Sequence, residues 1–171
     1  MNIFYLDPDP VIAAQMQCDK HVVKMVLETA QMLSTCQREM WDDIVNPPEL
    51  LYKPTHKNHP CNIWLRQTRG NYRWLYEHFI GLADEYTRRY SKVHLSDKKL
   101  RHILKQYPGG LPPGPFTIPP QCMPDEYKTE NDTIGAYQLF YLMDKSRFAK
   151  WEKGREAPEW YARDIGLVQN G

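Results

Sequence analysis

The sequence has no long apolar run, no excess of charge of one sign and no closely spaced cysteines. No stretch approaches the roughly 18 apolar residues of a transmembrane helix, so we predict no membrane span. The start, MNIFYLDPDP, has neither the basic residues nor the apolar stretch of a signal peptide, which favours a cytoplasmic protein. The net charge of +1 provides no overall field for nucleic acid or membranes, so recognition of an anion has to be local.

The cysteines do not follow a metal-binding or disulfide pattern. None of them is in C-x-x-C spacing, and a cytoplasmic chain of this size is expected to keep its thiols reduced. We therefore predict that they are mostly packing thiols, at Cys18, Cys36, Cys61 and Cys122.

The sequence does contain enough apolar residues for a core, together with many aromatic rings. Hydrophobic residues make up 42% of the 171 positions and charged residues 25%, as in an ordinary globular domain. A chain of this length most simply forms one domain, and we assign residues 1–171 to it. The 11 tyrosines and five tryptophans either fill the core and surface or serve as platforms for stacking bases and sugars.

Five stretches combine a helical spacing of apolar residues with capping residues. We predict helices over residues 10–18, 19–41, 60–90, 96–106 and 132–151. Asp9 and Pro10 are typical of the start of the first helix, while Asp19 and Ser96 are the predicted caps of the second and fourth. The NIFYL segment could be a short strand or an extended lead-in. The expected fold is all-α, a single compact helical domain.

A proline-rich segment, residues 107–124, interrupts this pattern. Its seven prolines and three glycines exclude a helix and a central strand. A loop of this length in a compact domain is either disordered or functional. Because Phe116, Ile118 and Met123 are isolated apolar residues, we expect the segment to pack on the body as a loop or lid. Residues 154–171 are assigned to a C-terminal tail.

The segment KPTHKNHPCNIW, residues 53–64, places His56, Lys57 and His59 directly before a predicted helix. A helix start offers unpaired N–H donors and partial positive charge, so these side chains could complete an anion site. The histidines could instead transfer protons near pH 7, or the loop could simply be a polar helix entry. A zinc site would need better ligand spacing than His56, His59 and Cys61 offer, so we predict no metal and no cofactor.

Two charged stripes follow helical spacing. Lys20, Lys24 and Glu28 either form exposed ion pairs or, if they face a cleft, support proton transfer. Arg66 and Arg69 lie on one face of the predicted long helix, where they could hold phosphates. The predicted core-facing residues of the second helix are Val22, Val23, Val26, Ala30 and Leu33.

Five blocks of the sequence resemble a family of small proteins encoded by tailed bacteriophages. These blocks are CDKHVVKMVLETAQMLSTC, YKPTHKNHPCNIWLRQTRGNYRWLYEHF, DEYTRRYSKVHLSDKKLR, PPQCMPDEYK and APEWY. The resemblance covers nearly the whole chain. It implies a phage-encoded protein of the host bacterial cytoplasm but supplies no activity.

The chain also resembles the phage pyrimidine-dimer DNA glycosylases of the endonuclease V type, in the order of KPTHKNHP, the end of DEYTRRY, and PEWY. Those are small all-α proteins. In that family, removal of the first methionine exposes the α-amine of a small second residue. This amine attacks the sugar C1′ with help from a Glu on an early helix. Here residue 2 is Asn2, a poor context for that removal, and no Glu lies among residues 1–27. Asp19 or Glu28 could take its place, so the resemblance implies the fold but does not carry the mechanism over residue by residue.

Two functions of different classes follow. The first is an enzyme of nucleotide or nucleic-acid linkages, either a DNA glycosylase or a metal-independent phosphodiesterase. The second is a non-catalytic, anti-defence protein that binds a nucleotide and sequesters a host cyclic-nucleotide signal. The candidate catalytic residues are His56, His59, Glu28 and Lys24. The candidate ligand-binding residues are Lys20, Lys57, Arg66, Arg69, Asp125, Glu126, Tyr127, Lys128 and Trp160. We expect the MPDEYK segment, residues 123–128, to close over the site.

Overall fold

The computed structural model describes residues 1–42 and 47–169. Within these ranges it contains seven α-helices, short 3₁₀ and π segments and no β-strand, so the prediction of an all-α fold is confirmed. The helices are α1 (Pro10–Met16), α2 (Asp19–Glu39), α3 (Pro60–Leu65), α4 (Arg69–Tyr90), α5 (Leu95–Leu100), α6 (Thr133–Phe140) and α7 (Glu159–Gln169). In the described part of the chain, no helix has both the length and the apolarity needed to cross a bilayer.

Helix α1 begins where the sequence predicts. The Asp9 carboxylate accepts the N–H groups of Val11 and Ile12 at 2.8 and 3.1 Å, and Pro10 occupies the first helical position. Helix α1 packs across α4 at Gly81, where an added Cβ would lie only 3.1 Å from atoms of α1. The missing side chain therefore allows the two helices to approach closely.

Helix α2 supplies a long apolar face to the core. Four of its predicted core-facing residues are fully buried, namely Val22, Val26, Ala30 and Leu33. The prediction for Val23 is wrong, because this residue is 38% exposed at the rim of a surface cleft. The predicted cap is wrong as well. Cys18 is the N-cap, because the Asp19 carboxylate is drawn to the buried guanidinium of Arg89 on α4, at 3.1 Å.

The single long helix predicted over residues 60–90 is wrong, because the chain breaks between α3 and α4. Arg66 ends α3, and Thr68 is extended with a φ of −147°, so that its hydroxyl accepts the Asn71 N–H at 3.0 Å. The Asn71 amide reaches back to the Trp64 carbonyl at 2.9 Å and satisfies an acceptor that a continuous helix would pair internally. The histidine-rich loop therefore precedes a helix of six residues.

Helix α5 is shorter than predicted and starts with a different cap. The cap is His94 rather than Ser96, because the His94 Nδ1 accepts the Ser96 N–H at 3.0 Å. Ser96 is buried, and its hydroxyl lies 2.7 Å from the hydroxyl of Tyr52. The rest of the predicted helix is a turn and a 3₁₀ segment at Ile103–Lys105.

The proline-rich segment crosses α3 and α4, and we call residues 107–124 the strap. The Thr117 carbonyl accepts the Trp64 indole N–H at 2.9 Å, and the Asn71 side-chain oxygen accepts the Thr117 N–H at 2.7 Å. At Gly70 an added Cβ would lie 2.3 Å from a strap nitrogen, so only glycine fits under this crossing. The expectation that the segment packs on the body is confirmed, while its role as a lid stays a prediction.

The helix predicted over residues 132–151 is also shortened. The Asp132 carboxylate caps α6 by accepting the Gly135 N–H at 2.9 Å. Beyond α6 the chain makes a π-helical turn at Tyr141–Lys145, and Trp151 lies outside any helix. The segment assigned to a tail contains α7, and its last two residues lie outside the described ranges.

A buried charge network joins α2, α4 and the segment before α7. Arg89 has no exposed side-chain surface and donates to Asp19, Glu85 and the Gln17 carbonyl at 3.1, 2.8 and 2.8 Å. Arg155 donates to both oxygens of Glu85 at 2.8 and 2.9 Å. Burial alone would raise the pKa of Glu85, but the hydrogen bonds from the two arginines hold it below its usual value. We call Arg89, Glu85, Asp19 and Arg155 the arginine network.

Candidate active site

The N-terminal residues form a tight turn held by the Asn2 side chain. Its Oδ1 accepts the N–H groups of Ile3 and Phe4 at 2.7 and 3.3 Å, and its Nδ2 donates to the Cys122 carbonyl of the strap at 2.8 Å. Phe4 has a φ of +56°, a conformation that costs a bulky residue about 1–3 kcal/mol. Its buried ring is stacked on His21 at 4.5 Å, and this packing offsets the strain. The turn therefore fixes the direction in which residue 1 projects.

This turn brings the amino group of Met1 to the carboxylate of Glu28 on α2. The Met1 nitrogen lies 4.0 Å from Glu28 Oε2, and Lys24 Nζ lies 3.8 Å from Oε1. Both distances exceed a hydrogen bond, so these contacts leave the carboxylate able to accept a proton or a closer partner. Asn62 Nδ2 lies 3.6 Å from the Met1 sulfur, which anchors the first side chain.

The histidine loop, residues 55–59, is tied to the same place by Asn62. The Nδ2 atom that contacts the Met1 sulfur also donates to the carbonyls of Thr55 and His56, at 3.2 and 2.8 Å. His56 has a φ of +49°, and its Nδ1 lies 2.7 Å from the Thr55 hydroxyl. A histidine in this left-handed conformation is uncommon, so the loop holds a defined and costly shape.

His59 caps α3, and the positive charge of the Met1 amino group acts on its ring. Its Nδ1 accepts the Cys61 N–H at 3.1 Å, so the neutral ring carries its proton on Nε2. Burial lowers the pKa of His59, and the Met1 ammonium and His56 lower it further, whereas Glu28 opposes them. His59 is therefore neutral at pH 7 and can donate a hydrogen bond from Nε2. We call Met1, Lys24, Glu28, His56 and His59 the amine corner.

A cleft of about 510 Å³ opens along α2 beside the amine corner. Its walls include Lys20, Lys24, Tyr90, Phe148, Lys150 and Lys153. Lys20 Nζ lies 5.0 Å from the centre of the Phe148 ring, and Lys153 Nζ lies 5.3 Å from the centre of the Tyr90 ring. Because Lys24 belongs to both, this lysine cleft is continuous with the amine corner.

Comparison with known families matches residues 1–99 to a family model described as pyrimidine dimer DNA glycosylase. The chain belongs to the pyrimidine dimer DNA glycosylase family. The matched region contains the whole amine corner and helices α1 to α4. Neither the comparison with curated proteins nor that with solved structures finds a match. Family membership supports a DNA glycosylase-like function and gives no support to phosphodiesterase activity or nucleotide sequestration.

The candidate residues taken from the sequence did not include the α-amine of Met1, which the structure places 4.0 Å from Glu28 Oε2. The sequence offered Asp19 and Glu28 equally as the acid of an early helix. The structure separates them, because Asp19 belongs to the buried arginine network while Glu28 lies beside the Met1 nitrogen. The available signal was the helical spacing of Lys20, Lys24 and Glu28, which places Glu28 on a polar face of α2.

The structure brings the four candidate catalytic residues together in the amine corner. Lys57 is exposed on the histidine loop next to them. The MPDEYK turn directly follows Cys122, whose backbone carbonyl accepts the Asn2 side chain at 2.8 Å. Within this turn Asp125 pairs with Lys128 at 2.8 Å, Glu126 is exposed, and the Tyr127 ring is stacked on Phe140 at 5.7 Å.

Other candidate residues have different environments. Arg69 donates to the Leu111 carbonyl at 2.9 Å and stacks on Tyr107, so it holds the strap. Trp160 is buried and packs edge-on to Tyr141, which leaves little of its ring for a ligand. Arg66 ends α3 half-buried, and Lys20 lies in the lysine cleft.

A cluster that could hold a metal lies next to the amine corner. Ligand atoms of His59, Cys61 and Cys122 are all within 4.8 Å of one another, and Cys122 comes from the strap. The His59 Nδ1 lone pair is already used by the Cys61 N–H, so His59 could offer a metal only its Nε2. A hydrogen bond to Cys122 and burial also raise the pKa of the Cys61 thiol, which disfavours a thiolate ligand. The absence of a metal requirement stays a prediction.

Proposed function

We propose that this chain is a DNA glycosylase that removes a base from DNA containing pyrimidine dimers, with the α-amine of Met1 as nucleophile. The observation that carries the proposal is the pair formed by the Met1 nitrogen and Glu28 Oε2, 4.0 Å apart within the matched region. An α-amine next to a carboxylate, rather than a lysine or a cysteine, is the nucleophile that this family relation leads one to expect. The proposal requires Met1 to be the first residue of the active protein.

The chemistry is a displacement at the sugar C1′. The neutral amine attacks C1′, the bond between C1′ and the base breaks, and its electron pair leaves with the base. Glu28 takes the proton that the amine loses, which the long contacts at its carboxylate allow. The departing base takes up a proton from solvent, and the Nε2–H of neutral His59 can donate a hydrogen bond to it. Opening of the sugar ring, with O4′ protonated, then converts the adduct to an imine.

Glu28 has a second role in this proposal. Positive charge develops at C1′ as the base departs, and a carboxylate beside that carbon stabilises it more in the transition state than in the bound substrate. The side chain of Glu28 is 18% exposed, so its charge is only partly screened by water. Lys24 Nζ, at 3.8 Å from Glu28 Oε1, adds positive charge beside the carboxylate without occupying it as a hydrogen-bond donor.

The lysine cleft is the proposed path of the DNA backbone. The net charge of +1 gives the protein little general affinity for DNA, so phosphate contacts have to be local. The cleft is lined by four lysines, Lys20, Lys24, Lys150 and Lys153, against two acidic residues, Asp19 and Glu152, and Lys24 also lies beside Glu28. The Tyr90 and Phe148 rings in its walls hold the ammonium groups of Lys153 and Lys20 over their faces, which positions these charges in the cleft.

Borohydride trapping on ultraviolet-irradiated duplex DNA tests the proposal. Reduction of the imine should give a stable covalent complex with irradiated DNA and none with unirradiated DNA. Digestion and mass spectrometry should map the link to the α-nitrogen of residue 1. A protein with an extra glycine and serine before Met1 should fold normally and lose trapping, because its amine no longer lies beside Glu28.

The matched control is Lys24→Ala, which removes the lysine nearest to Glu28 and should keep the covalent complex. N-terminal sequencing of the same preparation identifies the residue that carries the free amine. Base release without any trapped complex, or a complex mapped to a lysine, would overturn the assignment of the nucleophile. No base release from irradiated DNA would overturn the proposed function itself.

A further inference from the structure

Two thiols from distant parts of the chain meet beside the amine corner. Cys61 lies in the first turn of α3 and is fully buried, while Cys122 lies on the strap and is only partly buried. Their sulfur atoms are 3.4 Å apart, although 61 residues separate them in the chain. Sequence spacing gives no indication of this pair, and the function proposed above does not use it.

We propose that Cys61 and Cys122 form an oxidation site, at which a small hydroperoxide such as hydrogen peroxide converts the two thiols to an intramolecular disulfide. The gap of 3.4 Å has to close to about 2.05 Å, a movement of about 1.4 Å. Cys122 can supply this movement because it lies in extended, proline-flanked backbone outside any helix. Cys61 is held in α3 and stays in place.

The two thiols are suited to different steps. Cys122 has an exposed portion that a peroxide can reach, and a hydrogen bond from Cys61 lowers the pKa of its thiol. A contact with the Tyr137 hydroxyl and the charges of Lys128 and the Met1 ammonium lower it further, against the effect of burial. Cys61 has a raised pKa and no exposure, so it does not react with peroxide directly. Cys122 therefore attacks first and Cys61 second.

The reaction balances with peroxide as the only oxidant. The Cys122 thiolate attacks one peroxide oxygen, the O–O bond breaks, and Cys122 becomes a sulfenic acid while hydroxide leaves. The Cys61 sulfur then attacks the Cys122 sulfur, and the S–O bond breaks. The released oxygen leaves as water with the Cys61 proton. Two thiols and one peroxide give one disulfide and two waters.

Oxidation is coupled to the amine corner through Asn2. The Cys122 carbonyl accepts the Asn2 Nδ2 at 2.8 Å, and Asn2 holds the turn that directs the Met1 amine. A shift of Cys122 by about 1.4 Å pulls on this bond. A displacement of about 1 Å at a reacting group costs on the order of 100-fold in rate. This consequence rests on the proposed function, whereas formation of the disulfide does not.

The test treats fully reduced wild-type protein with hydrogen peroxide under air-free conditions and then alkylates the remaining thiols. The oxidised protein should carry two alkyl groups where the reduced protein carries four, and peptide mapping should find one bond joining Cys61 to Cys122. Base release should drop roughly 10- to 100-fold and return with dithiothreitol. Cys122→Ser and Cys61→Ala should each abolish the bond, while the matched control Cys36→Ala, which changes another buried thiol, should keep it.

Activity is expressed for each variant as the ratio between its oxidised and reduced forms, so that a change in basal rate does not affect the comparison. This ratio should stay near one for Cys122→Ser. If Cys61→Ala does not fold, two results still test the oxidation site. These are the mapped bond in the wild-type protein and the ratio of oxidised to reduced activity in Cys122→Ser. No bond, or Cys122 oxidised to the sulfinic acid with Cys61 free, overturns the oxidation site. A mapped bond in a protein that releases no base leaves the site standing and removes the proposed function.

Discussion

The arginine network and the amine corner use the same components in opposite ways. Each places a carboxylate of α2 beside a cation: Asp19 beside Arg89 at 3.1 Å, and Glu28 beside the Met1 amine at 4.0 Å. In the network, Asp19 also accepts the Glu152 N–H at 2.8 Å, and the Arg89 side chain that it pairs with is completely buried. In the corner, both ion pairs of Glu28 are too long for hydrogen bonds.

The difference separates a structural charge from a reactive one. A buried charge whose hydrogen bonds are complete holds helices together and has no capacity left for a substrate. A carboxylate with loose partners at a strained turn can take up a proton or a reacting atom. The left-handed conformations of Phe4 and His56 lie on the side of the amine corner. Ser91, which follows α4 two residues after Arg89, is left-handed as well, so positive φ alone does not distinguish the two regions.

The largest expected effect is on catalysis, and it comes from the corner. Glu28→Gln keeps the shape of the side chain but removes its charge and its ability to take a proton. We expect base release from irradiated DNA to fall about 100- to 10,000-fold under single-turnover conditions, with the melting temperature nearly unchanged. The matched control is Glu39→Gln, which changes an exposed carboxylate on the same helix. Equal rates for both variants would contradict a reactive role for Glu28.

The next largest effect is on stability, and it comes from the network. Arg89→Ala leaves Asp19 without its cationic partner and Glu85 with Arg155 alone. We expect a loss of about 3–5 kcal/mol in the free energy of unfolding, measured by denaturant titration. The control is Arg163→Ala, because Arg163 is 66% exposed and its pair with Asp164 should contribute less than about 1 kcal/mol. Similar losses in the two variants would remove the distinction between the two regions.

Two buried histidines, His21 and His78, are expected to make the free energy of unfolding depend on pH. Burial lowers the pKa of His78 to about 4 and, with nearby lysines, that of His21 to about 3, from 6.5 in the unfolded chain. For each histidine, the unfolded chain binds more protons than the folded protein at pH values between the folded pKa and 6.5. Stability should therefore be constant above pH 6.5 and fall below it by up to about 1.4 kcal/mol per pH unit for each histidine.

Unfolding titrations from pH 7.5 to about 4 measure this slope. His78→Gln should flatten it, whereas a change at the exposed His102 should not. The Nδ1 of His78 donates to the Pro10 carbonyl at 2.8 Å, so a general loss of stability is expected as well, and the slope is the decisive quantity. An unchanged slope in His78→Gln would show that other groups control the acid sensitivity.

The smallest effect is expected from Lys24, which belongs to both the amine corner and the lysine cleft. Lys24 is 64% exposed, so Lys24→Ala should cost less than about 0.5 kcal/mol in stability. If the lysine cleft follows the DNA backbone, the same change should lower the slope of log affinity against log salt by about one. Lys92→Ala, at another exposed lysine, is the control. An unchanged salt slope in Lys24→Ala would place the DNA backbone elsewhere.

The sequence by itself determined the elements whose signals are local. The cap Asp9, most of the core face of α2 and the exclusion of helix from the strap all follow from residues a few positions apart. The same local spacing pointed to Glu28 and to the histidine loop as candidates. Capping and helical periodicity act within one or two turns, which is why they can be read without a fold.

The tertiary structure alone decided the contacts between distant segments. It broke the predicted helix at Thr68, where the strap passes over, and it separated the roles of Asp19 and Glu28. It also placed the Met1 amine at α2 and the Cys122 thiol at α3. Each of these contacts joins residues whose own neighbours in sequence carry no sign of the partner. They form because the closing of the core fixes which surfaces meet, and helical spacing contains no information about that choice.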